Sequence, residues 1–426
     1  MQVVDSAIVG RIGVVELGAI GFAGVWLWTL TSGFVGAATG VQTFVAQEAG
    51  AGRPRASARW AVQGLWAIVP VATLAFLLVR ASIGGFFGLL GPSPELRDAA
   101  TDYARARLLG APAIPVLVVF NSWFRGLGDT RTPLAVAIAA NVVNALLSWG
   151  LVFGVGGLPR LGVAGAGYGA AAAMATGAML SGWLFVRRSA ATGNAASAEG
   201  ESGHGPSWAP DRRAIARLLR TSAPIGGAFV LDMVTFALFT TVLARMGDRA
   251  MAASQAMIQL LSLSFMQAVG IGIASTALVG RYVGAGDPEA AQRSHRSAIA
   301  LGVALTTAVG ALFLAVPDLL LRIFTDDPAV IEIGRPLLRL GALFQVADAA
   351  GIVAAGSLRG AGDTAWPFLV QSGLAWFYRL PAVWIAAVWL GGGVQGAWWA
   401  ELGYVVLLGA LLLVRFERGA WREARI

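Results

Sequence analysis

The sequence has no cysteine, no lysine and only two histidines, and its 13% of charged residues falls well short of soluble proteins, in which about 25% is usual. Without cysteine there are no disulfides, no cysteine-held iron–sulfur clusters and no thiol catalysis. His204 and His295 both read as lying in polar loops, so the chain offers neither a nucleophile–base pair nor a cluster of metal ligands. An enzyme is therefore not expected, and no catalytic residue, metal site or organic cofactor is assigned. The formal charge of +8 comes entirely from arginine. Most of these arginines sit in short loops between apolar runs, which is a membrane pattern and does not point to nucleic acid.

What the sequence has in abundance is apolar length: 57% of its 426 residues are hydrophobic. Runs long enough to cross a hydrocarbon core of about 30 Å recur throughout, at 17–45, 58–81, 100–124, 133–155, 163–187, 214–245, 252–280, 296–324, 331–358, 366–390 and 394–416. A partial span, "MQVVDSAIVGRIG", precedes them. The fold class is an all-α integral membrane protein. Sorting arginines by alternate loops puts 19 on one side and 8 on the other, and the remaining four sit inside or at the ends of spans. The richer side is expected to be cytoplasmic, which places the C-terminus there and makes the chain a multi-pass protein of the cytoplasmic membrane. The polar stretch 189–212, rich in Ser, Gly and Ala, reads as a cytoplasmic linker. It separates an N-terminal bundle, 1–188, from a C-terminal bundle, 213–416, and a tail, 417–426, follows.

The two bundles are copies. "RGLGDTRTPL" (125–134) matches "RGAGDTAWPF" (359–368) at an offset of 234. "VAQEAGAGRP" (45–54) matches "VGRYVGAGDP" (279–288), and "IVGRIG" (8–13) matches "VLARMG" (242–247), at the same offset. "GVAGA" (162–166) matches "GVQGA" (393–397) at 231. Six spans per copy make the halves enter the membrane in the same sense, so a pseudo-twofold axis along the membrane normal is expected, with the substrate path between them. The alignment pairs Met1 with Thr235, although the second copy's first helix starts near Arg213. The start of the first helix is thus expected to be missing, leaving a twelve-helix fold with its first helix truncated.

The repeated decapeptide reads as a turn. Arg125 and Arg359 end a span, where a cation suits both a helix C-terminus and the arginine-rich side. Gly128 and Gly362 permit a tight turn. Asp129 with Thr130, and Asp363 with Thr364, are placed to cap the next helix, with Pro133 and Pro367 in its first turn.

Acids inside spans are costly, at about 2.5–3.5 kcal/mol for an Asp at a helix centre. Asp5, Asp232 in "PIGGAFVLDMVTFALF" and Asp348 in "LFQVADAAGIVAAG" are therefore the candidate coupling residues. Desolvation raises a carboxylate's proton affinity and a neighbouring carboxylate raises it further. An acid pair that holds a proton or an organic cation, but poorly both, is the kernel of an antiporter. Gln255, Gln259 and Gln267 read equally as substrate contacts or as hydrogen bonds between helices.

"VVDSAIVGRIG", "FVAQEAGAG", "RGLGDTRTPL", "LVGRYVGAG", "FQVADAAGIVAAGSLRGAGDT" and the doubled six-span layout resemble the multidrug and toxic compound extrusion (MATE) family over the whole chain. The resemblance implies a monomeric antiporter that exports organic, often cationic, small molecules through the bilayer in exchange for H⁺ or Na⁺. It implies that Asp348 is a coupling acid in a Q-x-x-D context, that Asp232 stands where relatives carry Glu, and that Asp5 matches their first-helix Asp. It also marks two departures. Ser148 stands four residues after Asn144 where many prokaryotic relatives have Asp, and Phe344 stands where Na⁺-coupled relatives have Tyr. Both favour H⁺ and a second-half site. Asn144 and Phe344 join the glutamines as candidate substrate-cavity residues. The alternative within the same superfamily, a lipid-linked oligosaccharide flippase, would use cavity arginines, for which Arg105, Arg107 and Arg339 are nearest.

Overall fold

The computed structural model describes residues 1–91, 93–198 and 208–423, and every regular element among them is helical. The first copy contributes α1 (Gln2–Val9), α2 (Val14–Thr39), α3 (Val41–Gly50), α4 (Ser57–Leu89), α5 (Pro94–Leu108), α6 (Ala113–Gly126), α7 (Arg131–Phe153) and α8 (Val163–Ala198). The second contributes α9 (Arg212–Ala244), α10 (Asp248–Gly284), α11 (Pro288–Ala315), α12 (Pro317–Arg322), α13 (Pro328–Ala361), α14 (Ala365–Leu374), α15 (Leu380–Trp384) and α16 (Gly393–Glu417). Each expected span is found as mainly helical, with 100–124 interrupted at 109–112 and 296–324 at Val316. Among the described residues nine helices are long and apolar enough to cross a membrane, with α5 and α6, bent by 49°, making a tenth together. That bend falls at Leu109–Pro112, where Pro112 has no N–H to give the helical ladder. The span expected at 366–390 is continuous but wound partly as π-helix, at Ala375–Arg379 and Ile385–Trp389. Of the expected linker 189–212, residues 199–207 lie outside the described residues.

Two compact units are present: Met1–Val45 with Arg53–Gly226, and Ala46–Gly52 with Gly227–Ile426. The division therefore falls within α9. In the first unit, Ile8, Val9, Ile20, Phe76, Phe87, Tyr103 and Val152 form the largest core. In the second, Phe239, Met257, Phe313, Leu337 and Trp398 do the same. There α10 and α13 approach closely because a Cβ at Gly356 would run into the backbone of Gly272. Thr276 uses the proximity, its hydroxyl donating across to the Gly356 carbonyl at 2.8 Å, the small-residue packing that membrane helices use.

His295 departs from expectation. It lies on α11, fully buried, hydrogen-bonded to the Ser357 hydroxyl at 2.7 Å and packed on the Phe416 ring at 4.0 Å between centroids. The polar residues around it in sequence belong to a helix that starts at Pro288, so the apparent loop is its first two turns.

The decapeptide forms the same turn in both copies. Gly128 (φ 83°) donates to the Arg125 carbonyl at 2.9 Å and Asp129 N–H to the Phe124 carbonyl at 2.9 Å. Gly362 (φ 94°) donates to Arg359 at 3.0 Å and Asp363 N–H to Leu358 at 3.0 Å. These paired bonds close a helix C-terminus around a left-handed residue. The copies then diverge. Asp129 caps α7 as expected, its carboxylate accepting from the N–H groups of Arg131 and Thr132 at 3.1 and 3.0 Å. Asp363 turns away to accept from Arg415 at 2.9 Å, leaving α14 without a side-chain cap from Thr364. Sequence explains the difference. Thr132, whose hydroxyl also bonds Asp129 at 2.7 Å, is replaced in the second copy by Trp366, which stacks under the Arg415 guanidinium at 5.1 Å. Partial burial pushes the Asp129 carboxyl up, but the Thr132 N–H and hydroxyl and the Arg188 guanidinium outweigh it and hold it below the usual range.

Because L-residues are strained in the left-handed region by roughly 1–2 kcal/mol, Gly362→Ala is expected to destabilise the purified protein by about that amount. An unchanged thermal midpoint in detergent would contradict the turn's dependence on glycine.

Candidate acid clusters in the two units

In the first unit α1, α5, α7 and α8 meet around Asp5, which is 0% exposed. Asn144 and Ser148, one turn apart on α7, donate to Asp5 Oδ1 at 3.0 and 3.2 Å. On α5, Tyr103 donates to Asp5 Oδ2 at 3.5 Å and Arg107 Nη1 stands 3.4 Å from the same oxygen. Arg107 also donates to the Tyr103 hydroxyl at 2.5 Å. Tyr103 and Arg107 are four residues apart and so share a face of α5. The Asn144 carbonyl oxygen is buried with no hydrogen-bond partner.

Asn144, expected in a substrate cavity, is thus placed inside the Asp5 cluster. The absence of an acid at 148 does not empty the site, since the Ser148 hydroxyl reaches the carboxylate of Asp5 directly. Of the three arginines considered for cavity roles, only Arg107 faces an acid; Arg105 and Arg339 are exposed.

In the second unit the centre is Arg379, on the π-helical turn before α15 and 3% exposed. Its Nε and Nη2 make a two-point pair with Glu401 of α16, at 2.7 and 2.6 Å. Nη1 donates to Thr235 at 3.1 Å and lies 3.6 Å from Asp232 Oδ1, both on α9. The guanidinium stands 5.0 Å from the centroid of the Tyr404 ring and 5.8 Å from that of Phe239. Asp348, on α13, lies within electrostatic range of Asp232, Glu401 and Arg379. Two of the three acids singled out from sequence, Asp232 and Asp348, therefore interact electrostatically. Asp232 is the open member, with 42% of its side chain exposed, whereas Glu401 is 4% exposed. Phe344 packs edge-on to Trp398 at 6.0 Å. Gln255, Gln259 and Gln267 lie on the exposed side of α10.

Sequence reasoning missed Arg379 and Glu401. The signal was the one that found the aspartates, a charge within an apolar run: "LAWFYRLPAVW" and "AWWAELGYVV". A buried guanidinium bonded at both ends to a buried carboxylate is a matched pair, since breaking it would leave an uncompensated charge. Trp123 is a core residue whose indole N–H donates to the Ser57 hydroxyl at 3.1 Å.

Comparison with known proteins gives a consistent answer. The family model described as MatE matches residues 1–149 and 224–385. A probable multidrug resistance protein NorM of Brucella suis is 31% identical over 97% of this chain and 88% of its own length. One from Thermotoga maritima is 28% identical over 99% of this chain and 89% of its own. Multidrug resistance protein PmpM of Pseudomonas aeruginosa is 28% identical over 100% of this chain and 88% of its own. Among solved structures, a MATE in the bent conformation superposes with a TM-score of 0.86 at 18% identity, covering 99% of this chain and 92% of that one. The outward-facing conformation of a multidrug resistance MATE family transporter also gives 0.86, at 19% identity, over 98% and 91%.

Proposed function

Since the chain belongs to the MatE family, we propose that it is a secondary antiporter that exports organic, often cationic, compounds across the cytoplasmic membrane in exchange for protons. The relatives are named for multidrug resistance, which supports the substrate class. The arginine-rich ends of the spans support a cytoplasmic C-terminus.

One observation carries the proton reading: every neutral partner of Asp5 is a group that both donates and accepts. Ionised Asp5 takes hydrogen bonds from Asn144, Ser148 and Tyr103. Protonated Asp5 becomes a donor, and the same groups can receive it, since hydroxyls carry lone pairs and an amide has an oxygen beside its nitrogen. Half a turn of the Asn144 amide presents its unpartnered oxygen to the new O–H. The site serves both protonation states without rebuilding. In the second unit, Asp232 is exposed enough to meet an organic cation, and Asp348 interacts with it electrostatically. Loading either acid with a proton weakens its hold on a cation, which is the exclusion that antiport requires.

The flippase reading has less support. A cavity arginine that met pyrophosphate would need donors free for it, and Arg107, the one of the three candidates that is not exposed, already faces Asp5 and the Tyr103 hydroxyl.

The test is export of ethidium from loaded, drug-sensitive cells in sodium-free buffer. Proton antiport predicts export that a protonophore abolishes. Export that needs sodium, or that survives the protonophore, would overturn the coupling.

A further inference from the structure

The arginines beside the acids carry an inference about ion selectivity, one that rests on the proton reading for its meaning in transport. A proton needs one carboxylate oxygen. A hard metal cation needs a shell of about six oxygens. In the second unit, four of the oxygens from which such a shell would be built already face a guanidinium. Both Glu401 oxygens accept from Arg379 at 2.7 and 2.6 Å, Thr235 accepts at 3.1 Å, and Asp232 Oδ1 lies 3.6 Å from Nη1. In the first unit, Arg107 takes the Tyr103 hydroxyl at 2.5 Å and stands 3.4 Å from Asp5 Oδ2. Arg107 and Arg379 are fixed to helices and permanently charged, so neither can be exchanged for an ion from solution.

We propose that Arg379 and Arg107 are the ion-selectivity residues of this transporter, each a resident cation that occupies the oxygen shell a sodium ion would use and leaves its neighbouring aspartate open to protons alone. The charges facing Arg379 come from α9 (Asp232), α13 (Asp348) and α16 (Glu401), with Tyr404 as the nearby phenol. Those facing Arg107 are Asp5 on α1 and the Tyr103 phenol on its own helix. Removing either arginine therefore leaves uncompensated carboxylate and freed oxygens in one place, the makings of a sodium site. Position 344 fits the same logic, since Phe344 adds no oxygen near Asp348.

The test measures sodium binding on purified full-length protein, as the rise in thermal midpoint when sodium chloride replaces choline chloride at constant ionic strength. The parallel readout is the rate of ethidium transport in proteoliposomes under the same exchange. Wild type is expected to respond to neither. Arg379→Met is expected to gain a saturable sodium-dependent stabilisation and a several-fold sodium stimulation of transport. Arg107→Met tests the first unit independently. Its side chain is 24% exposed, so the variant should fold even where Arg379→Met does not. Sodium stabilisation of wild type equal to that of the variants, or no gain in Arg107→Met, would overturn the assignment. The binding readout uses no proton gradient. Protonophore-resistant export by wild type would therefore sink the proton reading without altering the sodium result, and the two fail separately.

Discussion

Replacing Glu401 with leucine is expected to cost about 3–5 kcal/mol of stability, the usual penalty for stripping one partner from a buried ion pair. Arg379 would keep Thr235 at 3.1 Å and a distant Asp232 at 3.6 Å, but would lose the two short bonds that justify a charge at 3% exposure. The double variant Arg379→Leu with Glu401→Leu should recover much of the loss, because matched apolar replacements of a buried pair are often neutral or better. Thermal unfolding of the three purified proteins in detergent gives the comparison. A single variant as stable as wild type, or a double variant no better than the single, would show that the pair is not what holds α16 to the π-wound segment.

Asp5→Asn should do the opposite, leaving stability nearly intact and removing transport. The asparagine still offers an oxygen to Asn144 and Ser148, which sit 3.0 and 3.2 Å from the native Oδ1. What it cannot do is bind and release a proton. Ethidium export is therefore expected to be lost while membrane abundance and melting temperature stay close to wild type. Asp348→Asn should behave similarly in the second unit. Wild-type rates in Asp5→Asn would show that the first cluster is structural.

Much of this was legible in the sequence because bilayers punish ambiguity. Each apolar run had to be a helix, as a spanning segment must satisfy its own backbone hydrogen bonds, and the eleven expected spans are all mainly helical. Asp5, Asp232 and Asp348 stood out because charge inside such a run is expensive. The Arg379–Glu401 pair obeys the same rule, but its members lie 22 residues apart on two consecutive spans. The rule marks both as costly; only tertiary packing shows that each is the other's compensation. Ser148 shows another limit. Judged by residue type it is a lost acid, whereas its position one turn from Asn144 is what lets a hydroxyl take that place beside Asp5. His295 was misplaced because polar residues near the start of α11 look like a loop until the helix beneath them is seen. The repeat marked the turns at Gly128 and Gly362, yet Thr132, which bonds Asp129, is Trp366 in the second copy, where Asp363 pairs with Arg415 instead.

The most direct test of proton exchange is made in proteoliposomes that contain the full chain and a trapped pH-sensitive dye, in sodium-free medium with the membrane potential clamped. Adding ethidium to one side should drive protons out of the opposite compartment in proportion to the ethidium taken up, and Asp348→Asn should abolish both fluxes together. Ethidium uptake with no accompanying pH change, or uptake that appears only once sodium is supplied, would contradict proton antiport.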